Sequence, residues 1–258
     1  METIGFRFSK ERPLKSLTRG FFRNVGRNSQ GRITTRHKGG GVKRLWRDID
    51  FTYDKKDILA RVETVEYDPN RTSFVARVLY RDGERRYVLL PQGMDVGSTF
   101  IVSEKAPLEP GNRLPLKNMP VGTNVFNIEL RPGEGAKLVR SAGSTGQVLA
   151  TEGLYTRLKM PSGEIREVSS KSWATVGALS NPELRFMTFG KAGRMRRLGI
   201  RPTVRGAAMN PRDHPYGGGE GRQPRGTRRP KTAWGKITGG VKTRRNKRTA
   251  RFIIKRRK

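Results

Sequence analysis

The feature that most constrains this chain is how unevenly its charge is laid along it. Residues 1–50 hold 13 basic and four acidic side chains, residues 51–189 hold 19 and 16, and residues 190–258 hold 23 and two. The middle is near balance and is where a self-sufficient fold belongs. The ends carry most of a formal net charge of +33 on 258 residues. Like charges at that density oppose compaction unless a polyanion supplies countercharge, and nucleic acid is the commonest polyanion in a cell. A merely soluble basic surface does not need this, since small domains usually carry a net charge of magnitude roughly 2–8.

Several classes of chemistry drop out. There is no cysteine, and His37 and His214 are the only histidines. Disulfides, thiolate catalysis and a structural zinc site are therefore not expected, and neither is any cofactor. No stretch approaches the roughly 18 apolar residues a membrane span needs, and none near the N-terminus resembles a signal peptide, so a soluble intracellular protein is expected.

In the balanced middle, short runs alternate apolar and polar residues between turn signals, the pattern of half-buried β-strands. Phe74, Ala76, Val78 and Tyr80 share one strand face. Asp68-Pro69-Asn70-Arg71 turns into that strand, and Asp82-Gly83 turns out of it toward Tyr87, Val88, Leu89 and Leu90. Phe126, Ile128 and Leu130 alternate on a second strand. Leu154, Thr156, Leu158 and Met160 alternate on a third, and Pro161-Ser162-Gly163 turns toward Ile165 and Val168. Between the two groups, 107–120 is too rich in proline and glycine for a central strand, which places a domain boundary there. The fold class expected is all-β, as two small antiparallel barrels, with a single sandwich as the alternative. Asn181-Pro182-Glu183 is the one convincing helix start, a capping residue before proline and an acid, for a short helix ending near Gly190. Beyond Gly190 the periodicity fades into Gly, Pro and Arg, and ordering there should require a partner.

Three stretches could carry chemistry. Residues 31–44 set cations around the triplet Gly39-Gly40-Gly41. Glycine lets a backbone pass close to phosphate, and arginine grips two phosphate oxygens at once, so the stretch suits a contact to folded RNA. A solvated basic linker is the plainer reading. As a nucleotide-binding loop it lacks the Gly-Lys-Ser/Thr ending. Residues 201–222 mix small residues, prolines and charges with no apolar face. Such a peptide could thread a crevice in RNA, with arginines on phosphates and His214 or Tyr216 stacking on unpaired bases. Its rival is a general-base site made of Asp213, His214 and Glu220, for which the segment supplies no water-excluding walls. The third stretch, 242–258, is a basic tail interrupted by Phe252, Ile253 and Ile254, and it indicates a polyanion without naming one.

These residues also carry a family resemblance. Gly31 to Lys43 followed by Asp48-Ile49-Asp50-Phe51, then Glu66-Tyr67-Asp68-Pro69-Asn70-Arg71, Asp82-Gly83-Glu84-Arg85-Arg86-Tyr87 and Val139-Arg140-Ser141-Ala142-Gly143 stand in order along the chain. With Gly190-Lys191-Ala192-Gly193 and Arg201 to Arg222, they resemble the bacterial-type large-subunit ribosomal protein L-two family over about residues 24–258.

The resemblance implies an oligonucleotide-binding-type barrel followed by an SH3-like barrel, with long basic, irregular extensions laid into ribosomal RNA. The corresponding division is 1–30 as an N-terminal extension, 31–106 and 107–189 as the two barrels, and 190–258 as an RNA-binding tail. It implies a structural, non-enzymatic constituent of the large subunit that supports subunit assembly, subunit association and the peptidyl transferase region. Its partners would be large-subunit ribosomal RNA, other ribosomal proteins and the small subunit across the interface, with no membrane. The place would be a large subunit in the bacterial cytoplasm or the mitochondrial matrix.

Candidate RNA contacts in the first half are Arg32, Arg36, His37, Lys38, Lys43, Arg44 and Arg47. In the tail they are Lys191, Arg194, Arg197, Arg201, Arg205, Arg212, His214, Tyr216, Arg222, Lys242, Arg244, Arg245, Lys247 and Arg248. Three features depart from the family pattern: Tyr216 and Val42 stand where histidine is common, and the N-terminal extension is short. Tyrosine, with a reference pKa near 10, is a poor proton shuttle at neutral pH, so stacking or packing is the role expected of Tyr216. Two readings from other classes are an RNA-processing enzyme built on His214 and a DNA-compacting protein acting through its tails.

Overall fold

The structure is a computed structural model describing residues 9, 11–221, 226–241, 246 and 248–256. It resolves into two compact units. The first comprises Met1–Phe21, Arg44–Thr188 and Arg248–Lys258, and the second Phe22–Lys43 and Phe189–Lys247.

In the first unit, β1 (Thr18–Gly20) pairs antiparallel with β2 (Leu45–Arg47). A curled four-stranded sheet follows, built from β3 (Ala60–Glu66), β4 (Val75–Tyr80), β5 (Arg85–Leu89) and β6 (Thr99–Phe100) in the order β5-β4-β3-β6. The meander forms as its turn residues direct, with Gly83 at φ 87 closing the β4–β5 hairpin. A register shift between Val62 and Thr64 bends β3 and lets the sheet curl.

Val75 and Ala76 of β4 and Tyr87 to Leu89 of β5 are buried on both faces, while Arg85 at the start of β5 is exposed. Phe74, Ala76, Val78, Tyr80, Val88 and Leu90 fill one core with Val62, Val65 and Phe100. Val75, Tyr87 and Leu89 point the other way, into a second core with Leu114, Val125, Phe126, Ile128, Val148 and Leu158.

That second core belongs to a later group of strands: β7 (Arg113–Pro115), β8 (Asn124–Phe126), β9 (Ile128–Glu129), β10 (Ala136–Leu138), β11 (Gly146–Glu152), β12 (Tyr155–Lys159), β13 (Ile165–Ser169) and β14 (Trp173–Val176). The only α-helix among the described residues, α1 (Ala192–Arg197), lies in the second unit, and β15 (Ile253–Lys255) returns to the first. The large sheet runs β15-β13-β12-β11-β8-β14-β7, and β9 pairs with β10. Pro115 donates nothing to a ladder, and β7 occupies an edge accordingly. The whole is an oligonucleotide-binding-type barrel followed by an SH3-like barrel, with irregular basic extensions.

Arg113 sits where the two cores adjoin, 1% exposed. Its guanidinium donates to the Asn127 carbonyl at 2.7 Å and pairs with Glu129 at 3.0 Å, and it lies 4.5 Å from the centre of the Tyr53 ring. Burial pushes the guanidinium below the usual arginine value, against the pull of Tyr53 and Glu129. Burial likewise pushes the Tyr53 hydroxyl up to about 12.

Several expectations need correction. Phe126, Ile128 and Leu130 do not share one strand, because Asn127 at φ 48 breaks the chain into β8 and β9, which join different sheets. Leu154 lies in the turn before β12 and is 73% exposed, while Thr156 and Leu158 are buried as expected. A helix does start at Pro182 with Glu183 in its first turn, but Asn181 before it, at φ 65, makes no side-chain cap bond and its Nδ2 instead donates to Thr72 O at 2.8 Å. The segment after it is a single 3-10 turn, Pro182–Phe186. Phe252-Ile253-Ile254 does more than interrupt a tail, since β15 pairs with β13. No described helix is long and apolar enough to cross a membrane.

Candidate nucleic-acid interface

The second unit holds 23 basic and two acidic residues. It contributes no large hydrophobic residue to the buried cores, so backbone hydrogen bonds and glycine contacts hold it. The N-terminal segment 22–43 and the tail pair directly. Gly39 N–H donates to Gly199 O at 2.9 Å, Val42 N–H to Arg197 O at 3.0 Å, and Arg201 N–H to His37 O at 3.0 Å, with Lys38 bridged to Ile200. Arg23 completes the clasp, donating to Gly40 O at 2.6 Å and Val42 O at 3.2 Å.

The glycine triplet therefore has a role the sequence did not disclose. A Cβ on Gly41, at φ +91, would lie 2.9 Å from both the Arg197 carbonyl oxygen and the Gly199 nitrogen. The backbone approached so closely there is the chain's own. His37, itself at φ 59, brings Nδ1 to 3.1 Å from Pro202 O, so its ring helps to lace the two segments together.

A second knot forms at 206–218. The His214 ring packs on Gly206, where a Cβ would fall 2.5 Å from ring carbon Cε1. Tyr216 N–H donates to His214 Nδ1 at 3.1 Å, and the two rings lie 4.9 Å apart. That bond to Nδ1 orients the His214 ring against the backbone of its own loop. The Tyr216 hydroxyl accepts from Lys231 N–H and, at 3.4 Å, from the Thr227 hydroxyl, tying this loop to the hairpin that follows. That hairpin runs from Pro230 to Thr238, with Lys231 bridged to Ile237.

Arg32, Arg36, Lys38, Lys43, Lys191, Arg194, Arg197, Arg201, Arg205 and Arg212 are all exposed on this unit. His37, His214 and Tyr216 are half-buried. Arg248 is exposed on the first unit. Two candidates belong to the first unit in a different sense. Arg44 is half-buried and donates to Pro69 O at 2.6 Å. Arg47 is 7% exposed and its guanidinium lies 3.2 Å from Glu66 and 3.5 Å from Asp68, paired with carboxylates of its own unit. Arg222, Lys242, Arg244, Arg245 and Lys247 lie outside the described residues.

Sequence reading missed Arg23, whose importance comes from a contact across the chain, and Trp234, which stands 72% exposed with the Arg36 guanidinium 5.1 Å from its ring centre. An isolated tryptophan in a basic stretch was the available signal for the second. All ion pairs between described residues lie in the first unit, as where Arg86 meets Asp50 at 2.8 Å and Glu84 at 2.7 Å.

Two family descriptions match the chain. "Ribosomal Proteins L2, RNA binding N-terminal domain" matches residues 14–103, and "Ribosomal Proteins L2, C-terminal domain" matches 109–235. Among curated proteins, the "Large ribosomal subunit protein uL2" of Hyphomonas neptunium is 54% identical over 96% of this chain and 90% of its own length. Those of Roseobacter denitrificans and Ruegeria pomeroyi are 51% and 52% identical, each over 95% of this chain and 87% and 88% of their own lengths.

Proposed function

From the premise that the chain belongs to the ribosomal protein L2 family, we propose that it is a non-enzymatic, structural component of the large ribosomal subunit whose second unit binds ribosomal RNA. The observation that carries this is the 23-to-two charge imbalance on a unit with no hydrophobic core of its own. Such a unit gains stability when phosphates take up its cations and release counterions.

Within that role the two barrels, about 31–106 and 107–189, present basic surfaces to RNA, the first as an RNA-binding barrel, and the extensions 1–30 and 190–258 reach into RNA. The contacts are the exposed set Arg32, Arg36, Lys38, Lys43, Lys191, Arg194, Arg197, Arg201, Arg205 and Arg212. His214 and Tyr216 shape the loop that presents Arg212, and Arg44 and Arg248 border it in sequence. Arg222, Lys242, Arg244, Arg245 and Lys247 extend the reading beyond the described residues. The finer roles are support of subunit assembly, of association with the small subunit, and of the peptidyl transferase region, toward which the Met209–Arg222 loop would point. The protein would act on the large subunit of a bacterial-type ribosome, beside other ribosomal proteins, and its curated relatives above are bacterial.

Sedimentation of a lysate containing tagged protein, at low and high salt, tests this directly. Co-migration with large-subunit RNA through a high-salt wash is expected. A tag found at the top of the gradient, or with free DNA, would overturn it. Replacement of His214 by Ala separates the enzymatic alternative: loss of RNA turnover with RNA binding intact would favour it.

A further inference from the structure

Tryptophan is usually highly buried in folded proteins, so one that stands 72% in solvent on a basic unit needs a reason. Trp234 is not on a loose segment. It sits at the tip of the Pro230–Thr238 hairpin, inside a turn closed by Gly235 N–H donating to Thr232 O at 2.9 Å and Thr232 N–H donating to Lys236 O at 2.8 Å. The Thr232 hydroxyl accepts from Lys236 N–H at 3.2 Å, and Gly235 supplies the left-handed residue, φ +75, that turns the chain back. The hairpin's base is fixed by Thr238 N–H donating to Pro230 O at 2.7 Å. The ring is thus presented by a braced element.

Its chemical surroundings define what it can take. The Arg36 guanidinium lies 5.1 Å from the ring centre, a cation–π contact that steadies the indole. Lys236 is exposed on the same hairpin, and Arg228 and Arg229 are exposed immediately before it in sequence. An exposed aromatic plane with a cation against it, on a basic stretch, suits single-stranded nucleic acid, base on ring and phosphates on nearby charges.

Resting on the RNA-binding reading above, we infer that Trp234 is a stacking site for one unpaired nucleobase, with Arg36 as the residue that positions the ring. The exposed Arg36 guanidinium beside the ring has five N–H donors with which to grip a phosphate of the stacked or adjoining nucleotide. Stacking of this kind is tolerant of base identity, because every base offers a π face.

The test uses the full chain, a large-subunit ribosomal RNA transcript and a fluorescein-labelled oligoadenylate, with affinity read across a salt series. Trp234→Leu should weaken oligoadenylate binding by about fivefold to a hundredfold, the range known for removing one stacked base. Its salt slope should stay that of the wild type, since no charge is lost. Trp234→Tyr should retain most of the affinity. Arg36→Ala should lower the slope by roughly 0.7 as well as the affinity. If Trp234→Leu binds oligoadenylate as tightly as the wild type, or if Trp234→Tyr loses as much as Trp234→Leu, no base stacks there, while the RNA-binding reading stands on the transcript. If the wild type fails to bind the transcript, that reading falls and this inference with it.

Discussion

In the unit built on Arg44–Thr188, 32 basic side chains face 20 acidic ones; in the unit built on Phe22–Lys43 and Phe189–Lys247, 23 face two. The first folds its counterions in. Arg77 and Arg85 share Glu63 at 3.1 and 2.9 Å, Arg86 gathers Asp50, Asp54 and Glu84, and Arg113 takes Glu129 into the interior. Every buried hydrophobic residue of the two cores also belongs to this unit. Among the described residues the second shows neither an ion pair between them nor a buried hydrophobic core, and its backbone is clasped through glycines and carbonyls while most of its cations are exposed. One unit is thus held by ion pairs and a core, the other by backbone hydrogen bonds and glycine contacts.

The largest test of the first half of that contrast is Glu129→Leu, which strands a buried arginine. It should destabilise the first unit by about 3–5 kcal/mol in urea unfolding, and Arg113→Met added to it should restore most of the loss. A single variant as stable as the wild type would mean that the interior pair is not what joins the cores. Next comes the salt dependence of RNA binding. Replacing Lys38, Arg201, Arg205 and Arg212 by Ala should lower the slope of log affinity against log salt by about three, whereas replacing Lys55, Arg77, Arg85 and Arg86 should leave it unchanged. Equal losses from the two sets would break the contrast.

Smaller effects sharpen it. Gly41→Ala forces a side chain onto the backbone of 197–199 at φ +91 and should cost the second unit about 1–3 kcal/mol. Faster hydrogen exchange at Gly39, Val42 and Arg201, with an unmoved urea midpoint for the first unit, is the expected signature. Tyr216→Phe removes one hydroxyl and should cost about 1 kcal/mol, read as faster exchange of the Lys231 amide. A protected Lys231 amide in that variant would remove the tie between the 206–218 loop and the hairpin.

What the sequence disclosed follows the same division. In the first unit local pattern and fold agree: the alternation of Phe74, Ala76, Val78 and Tyr80 is the face that packs inward, and Asp82-Gly83 turns as such a pair should. Where reading failed there, one backbone angle decided the outcome. Asn127 at φ 48 splits an apparent strand, and Asn181 at φ 65 turns an apparent helix cap into a tether for Thr72. Neither angle leaves a mark in hydrophobic periodicity. Arg47 was counted among the RNA contacts because it follows a basic run, and only the fold brings Glu66 and Asp68 to it. In the second unit the charge and the glycines were visible, but their partners lie some 160 residues along the chain, as His37 and Pro202 do, and no local pattern encodes that pairing. The short helix Ala192–Arg197 was hidden by the surrounding glycines and by the lack of an apolar face.

The pairing of Ile253–Lys255 with Ile165–Ser169 carries a consequence for how the molecule comes into being. The basic segment between the barrel and that last strand is a loop closed at both ends. Because lengthening a closed loop costs only about 0.6 kcal/mol per doubling, a segment this long is tethered at its far end at little entropic cost. The closing strand is also synthesised after everything it encloses. During translation the other strands of that sheet can therefore pair before β15 adds its edge.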